Sequence, residues 1–166
     1  QWGQFLDHDL TLTPVNDEAD PFNIKVPSGD PFFDPKSTGT AEIPLERSYG
    51  EDINGVRQQF NEITAFVDAS NVYGSDDERA QALRILDGTG RLKTSKDNLL
   101  PFNVDGLDNA PSATAPNFFV AGDFRANEQV GLTSMHTLFV REHNYWAGVI
   151  AKANPALGED EIYESA

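Results

Sequence analysis

The spacing of apolar positions picks out one long helix before anything else. From Gly131 to Ala153 the side chains of Leu132, Met135, His136, Phe139, Val140, His143, Ala147 and Ile150 fall at steps of three and four residues. That spacing predicts a single helical stripe about six turns long, ended by Asn154-Pro155. A second helix is predicted over residues 1–12, with Phe5, Leu6, Asp9 and Leu10 along its face and Pro14 just beyond its end. A third is predicted from Asp76 to about Leu86, capped by Ser75 and carrying acids in its first turn. Residues 14–50 and 87–117 are dense in Pro, Gly, Asp and Asn, which predicts long loops, with short strands around Asn23–Val26 and Glu42–Pro44. Residues 57–73 carry no clear period. Loops this long in a compact domain are functional or wrap a large ligand. No repeat is present and nothing points to a second domain. The predicted fold is therefore mainly α, with long loops and few short strands.

Composition narrows the function classes. The 166 residues hold 12 Lys+Arg against 27 Asp+Glu, a formal charge of −15. There is no basic stripe to neutralise a phosphate backbone, so no nucleic-acid partner is expected. No apolar run approaches the roughly 20 residues of a membrane span. Cysteine is absent, which excludes disulfides, thiolate metal sites and a cysteine nucleophile. The opening QWGQFLDHDL shows no signal peptide and does not read as a native N-terminus, which leaves room for a targeting segment removed upstream.

Three stretches carry candidate chemistry. In QFLDHDLTLTP, residues 4–14, a histidine stands between two aspartates. Successive helical residues turn by about 100°, so Asp7, His8 and Asp9 point in three directions, while Gln4 shares a face with His8. A pocket-facing histidine flanked by carboxylates suits a proton acceptor; a polar helix surface is the other reading. In TAFVDAS, residues 64–70, Thr64, Asp68 and Ser70 bear oxygens, with the Phe66 carbonyl between them. Two-residue spacing suits a loop around a hard cation such as Ca²⁺; an ordinary turn with capping hydroxyls is the alternative. A second carboxylate is needed, and Asp9 is a source. In AGDFRANEQVGLTSMHTLFVREHN, residues 121–144, Arg125 and Glu128 stand three apart. A guanidinium facing an imidazole lowers the imidazole pKa and holds developing negative charge; a surface ion pair is the alternative. His136 and His143 lie on the apolar stripe and read as core histidines.

Taken in order, QFLDHDLTLTP, FNEITAFVDASNVYGSDDERAQALR, LLPF and AGDFRANEQVGLTSMHTLFVREHN resemble the animal-type haem peroxidases, the superfamily of myeloperoxidase, lactoperoxidase and peroxidasin. The loops at 14–50 and 103–116 match only loosely. The resemblance implies that His8 is the distal base that takes a proton from H₂O₂, that Arg125 polarises the O–O bond, and that Gln4 belongs to the distal pocket. It implies ester bonds from Asp7 and Glu128 to a haem b, and calcium ligation by Asp9, Thr64, the Phe66 carbonyl, Asp68 and Ser70. After Glu128 stands Gln129, where myeloperoxidase has a methionine bonded to haem through sulfur, so that third link is excluded. The lack of cysteine points to a bacterial source.

The family's iron-ligating histidine lies downstream of the long helix, and neither His136 nor His143 is assigned to that role. Residues 1–166 are thus expected to be the distal portion of one haem peroxidase domain, with the proximal portion on a second polypeptide. The implied activity is H₂O₂-driven oxidation of halides, thiocyanate or phenolic donors by a secreted, calcium-dependent enzyme. Two other readings stay open. One is a fatty-acid dioxygenase of the cyclooxygenase-like branch. The other is a calcium-stabilised adhesion or matrix module that has lost activity.

Overall fold

A computed structural model of the chain describes residues 1–15, 20–110 and 115–166. The parts of the predicted loops at residues 16–19 and 111–114 lie outside the described residues. The chain forms two compact units, one of residues 1–11 with 63–166 and the other of residues 12–62, a division that the sequence pattern did not announce.

The larger unit is helical. Its elements are α1 (Trp2–Leu10), α2 (Ser70–Tyr73), α3 (Asp77–Leu83), α4 (Val130–Ala153) and α5 (Glu159–Ser165), with 3-10 turns at Lys96–Asn98 and Phe124–Asn127. Helix α4 follows its apolar stripe: Leu132, His136, Val140, His143 and Ala147 are buried at steps of four, four, three and four. The Gln129 side chain caps it by accepting the Gly131 N–H at 2.8 Å. Helix α1 buries Phe5, His8 and Asp9. Phe5 stacks on Phe139 of α4 with ring centroids 4.9 Å apart, and its edge meets His136 at 5.0 Å. The core gathers around Phe5, Val72, Leu83, Leu100, Leu132 and Val140.

Two predicted boundaries are corrected. The cap of α3 is Asp76 rather than Ser75, with its carboxylate accepting the Arg79 N–H at 2.8 Å. The helix ends at Leu83 rather than Leu86, because Arg84 turns extended and bridges antiparallel to Leu92. Helix α5 escaped the sequence reading. Three acids open it, and the Glu161 carboxylate accepts the Gly158 N–H at 2.9 Å. One glycine is demanded by packing. A Cβ at Gly122 would lie 2.5 Å from the Gly74 nitrogen and from the Val72 carbonyl carbon, so only glycine lets the 121–123 segment lie against α2.

The smaller unit holds two antiparallel pairs. Strand β1 (Ile24–Lys25) pairs with β2 (Glu42–Ile43), inside the two stretches where strands were expected. Strands β3 (Glu51–Ile53) and β4 (Val56–Gln58) form a hairpin closed by Asn54-Gly55. Both turn residues have positive φ, 56° and 81°, as a type I′ turn requires. The loop between β1 and β2 is organised by Asp34. Its carboxylate accepts from Gly39 N at 2.8 Å, Thr38 Oγ1 at 2.7 Å and Thr38 N at 2.9 Å, which holds its pKa down to about 2. Among the described residues no helix is long and apolar enough to cross a membrane.

Leu132 is fully buried at the meeting of α4 with the core. Leu132→Ala is expected to cost about 2–5 kcal/mol, read as a lower urea midpoint with an unchanged slope.

Candidate active site

The site is assembled on α1, the 3-10 turn at Phe124–Asn127 and the start of α4. Helical rotation divides the Asp7-His8-Asp9 triplet. Asp7 is exposed, whereas His8 is 4% and Asp9 2% exposed.

Asp123 is the anchor of the other segment. It is 3% exposed and caps the 3-10 turn by accepting the Arg125 N–H at 2.8 Å. Its carboxylate then takes the Arg125 guanidinium in a two-point grip, Nε to Oδ1 at 2.9 Å and Nη2 to Oδ2 at 2.7 Å. The same Nη2 donates to the His8 carbonyl oxygen at 3.3 Å. Arg125 therefore pairs with Asp123 and not with Glu128, the surface pair that spacing alone had allowed.

Around His8, the Asp123 carboxylate lies 3.9 Å from Nδ1 and the Glu128 carboxylate 3.9 Å from Nε2. Both separations are too long for hydrogen bonds. Glu128 accepts from Gln4 Nε2 at 2.9 Å, and Gln129 Nε2 donates to the Gln4 oxygen at 3.1 Å. Burial pushes the His8 pKa down, and the Arg125 charge pushes it further, against the pull of Asp123, Glu128 and Asp7. His8 is thus held as a neutral base beside a fixed cation. Gln4 and Asp7 are three apart on α1, Glu128 is bonded to Gln4, and the Asp7 and Glu128 charges both act on His8.

A second polar cluster anchors α1. Asp9 accepts from Ala69 N at 3.1 Å, Asn71 N at 3.3 Å and Ser70 Oγ at 3.4 Å. Thr64 Oγ1 donates to Asp68 Oδ2 at 2.7 Å, and Ser70 N donates to Asp68 Oδ1 at 3.0 Å. Four of the five residues read as calcium ligands are therefore joined in one chain of contacts. Phe66 lies in the same loop and is 74% exposed. Among the described residues no three His, Asp or Glu side chains come together to hold a metal ion, so a cation here would rest on two carboxylates with hydroxyl and carbonyl oxygens.

Two further residues, Asp123 and Asn71, hold the site together. Asp123 carried one signal, an Asp two places before Arg125, the pattern of a carboxylate closing on its own backbone. Asn71 is fully buried and donates from Nδ2 to the Phe5 carbonyl at 2.8 Å; nothing in the spacing marks it. His136 and His143 are buried in the core as expected, at 0% and 2% exposure.

The whole chain, residues 1–166, matches the animal haem peroxidase family, and the chain belongs to that family. It is similar to myeloperoxidase of Mus musculus, 38% identical over 199 residues, covering 100% of this chain and 27% of that protein. The chain thus spans about a quarter of that relative's length. Its fold is similar to peroxidase A of Dictyostelium discoideum, with a TM-score of 0.78 and 27% identity, covering 98% of this chain and 35% of the other. It is also similar to a fatty acid alpha-dioxygenase of Oryza sativa, with a TM-score of 0.67 and 26% identity, covering 98% of this chain and 24% of the other.

Two outcomes follow from the electrostatics. Asp123 raises the His8 pKa, so Asp123→Asn is expected to move the His8 titration to lower pH. With only three histidines, their NMR ring resonances resolve this directly. His136 is held neutral by burial, its pKa pushed from 6.5 down to about 4. A depressed histidine pKa means that the unfolded chain binds the proton more tightly. The stability that His136 contributes is therefore complete above pH 6.5 and is lost as pH falls towards about 4. Urea unfolding from pH 8 to pH 4 is expected to show that loss, and His136→Leu to flatten it.

Proposed function

We propose that this chain supplies the peroxide-activating face of a haem peroxidase. The observation that carries the reading is the pairing of a buried neutral imidazole, His8, with a guanidinium locked in direction by Asp123. Heterolysis of a peroxide bond calls for a base and a fixed positive charge on the same side of the reacting oxygens. The donor set fits a haem: one neutral base, one oriented cation, the exposed carboxylates Asp7 and Glu128, and the half-buried Gln4.

When bound, haem supplies the iron that takes the peroxide and stores its oxidising equivalents. Nε2 of His8, on the side of Glu128 and Gln4, is the atom to receive the peroxide proton. Arg125 opposes negative charge as it develops on the departing oxygen. Gln4 orients the Glu128 carboxylate through its hydrogen bond. Asp7 and Glu128 are the carboxylates to esterify a haem edge. Asp9, Thr64, the Phe66 carbonyl, Asp68 and Ser70 are the set to hold Ca²⁺, which would fix the helix that carries His8. Donors are proposed to be halides, thiocyanate or phenols. A calcium-dependent enzyme of this kind suits export.

The proximal portion of the domain is proposed to lie outside these 166 residues, on a second polypeptide. The chain spans about a quarter of the mouse myeloperoxidase's length. The proposal is supported by the exposed row Leu138, Tyr145 and Val149 on the outer side of α4, which an isolated domain would cover. Intact mass spectrometry tests it, and a folded, monomeric species at 18.2 kDa alone would remove the second polypeptide.

A second reading, fatty-acid dioxygenation, is favoured by the similarity to the rice alpha-dioxygenase fold. Oxygen uptake on fatty acid without added peroxide distinguishes it from peroxidation. In the complete haem protein, His8→Ala is expected to slow the peroxide reaction by roughly 10²–10⁴-fold, followed by stopped-flow absorbance, with haem still bound. A near-normal rate would reject His8 as the base. Asp68→Ala is expected to lower the melting temperature, and EDTA to do the same to the unaltered protein. Asp7→Val with Glu128→Gln is expected to let acidic organic solvent extract the haem.

A further inference from the structure

Tyr73, at the end of α2, meets a histidine that the peroxide site does not use. The Tyr73 hydroxyl lies 3.2 Å from Nδ1 of His143, and Nε2 of His143 lies 2.9 Å from the Gly90 carbonyl oxygen. A carbonyl only accepts, so Nε2 carries the ring proton. In the neutral ring Nδ1 is then an acceptor, and the phenol donates to it. His143 is 2% exposed, and burial favours that neutral form. Tyr73 is half-buried. The pair has the arrangement of a phenol poised to lose an electron and a proton together.

We propose that Tyr73 is a redox-active tyrosine whose phenolic proton passes to Nδ1 of His143 as the ring gives up one electron. The inference rests on the peroxidase reading, which names the oxidant: the oxidising equivalent that hydrogen peroxide generates at the haem. The phenolic O–H bond breaks and an N–H bond forms at Nδ1. The electron reduces the oxidant by one equivalent, leaving a neutral tyrosyl radical beside an imidazolium. An electron-rich donor then returns the electron, and the proton goes back to the phenolate oxygen. Tyr73 would hold an oxidising equivalent away from His8 and Arg125.

Position and neighbours support the assignment. Helix α2 is tied to α1, which carries His8, through Asn71 to the Phe5 carbonyl and to Asp9. Tyr163 is the nearest rival, with its ring 5.9 Å from that of Tyr73. The Arg84 guanidinium sits 4.0 Å above the Tyr163 ring, and a cation there opposes removal of an electron. No hydrogen bond leads from the Tyr163 hydroxyl to a base among the described residues. Tyr49 does have a partner, with its hydroxyl 2.5 Å from Glu51. That partner is a carboxylate, a far weaker proton acceptor than an imidazole, and it lies in the smaller unit.

The test is freeze-quench electron paramagnetic resonance on the complete haem protein mixed with hydrogen peroxide. A tyrosyl signal is expected, with hyperfine structure that collapses when ring-deuterated tyrosine is supplied. Tyr73→Phe is expected to abolish it, and Tyr163→Phe and Tyr49→Phe to leave it. The unaltered protein provides a measurement free of folding effects: ¹⁵N-labelled histidine should reveal coupling of the radical to one imidazole nitrogen. His143→Gln should remove that coupling. A tyrosyl signal that survives Tyr73→Phe, or one without histidine coupling, overturns the proposal. So does a haem that reacts with peroxide and yields no tyrosyl radical, and that outcome leaves the peroxidase reading intact. A haem inert to peroxide would instead overturn the peroxidase reading and this inference with it.

Discussion

A carboxylate taken almost wholly out of water must be neutralised where it lies, and Asp123 is such a group. Among the described residues its carboxylate's hydrogen bonds all come from Arg125: the backbone N–H, Nε and Nη2. One residue thus bends the 3-10 turn, fixes the guanidinium and sets the direction of its charge. The Nη2 that grips Asp123 also reaches the His8 carbonyl, which locks the turn to α1. Gly122 makes this possible from behind, because the preceding segment lies against the α2 backbone with no room for a side chain. His8 then feels opposed influences. Burial and Arg125 depress its pKa, the nearby acids raise it, and the depressing influences win.

The acids on either side of His8 show how one helix turn gives identical chemistry different work. Asp7 faces solvent, and its carboxylate accepts from Thr11 Oγ1 at 3.1 Å. Asp9, two residues on, is buried against the start of α2 and holds its backbone N–H groups. This division was legible in the sequence, because helical rotation alone separates the two acids by more than half a turn. The α4 helix was legible for the same kind of reason, with a stripe repeated often enough to leave no other period.

The less visible parts depend on contacts between distant residues. Helix α3 ends early because Arg84 finds Leu92 in an antiparallel bridge, and no local signal announces that partner. The β3–β4 hairpin carried an Asn-Gly turn in plain view. Its strands are three residues each and almost entirely exposed, so they lack the apolar alternation by which strands are read. Asp123 carries little local signal, since its value lies in what the folded turn brings to it. In the structure Gln129 caps α4 and braces Gln4.

Several buried polar residues of the larger unit act together. Asn71 joins α2 to α1 through both its backbone and its side chain, and Asp9 receives one of those bonds. His143 joins α4 to Gly90, and Gly90 is itself held from the other side. Its N–H donates to Glu159 at 2.9 Å, and a Cβ on it would meet Ile162 at 2.6 Å. The docking of α5 therefore fixes the carbonyl that fixes the tautomer of His143, which in turn decides whether Tyr73 donates or accepts. Buried polar groups in a connected set lose their partners together, so a change at Glu159 or Ile162 reaches Tyr73 through Gly90 and His143.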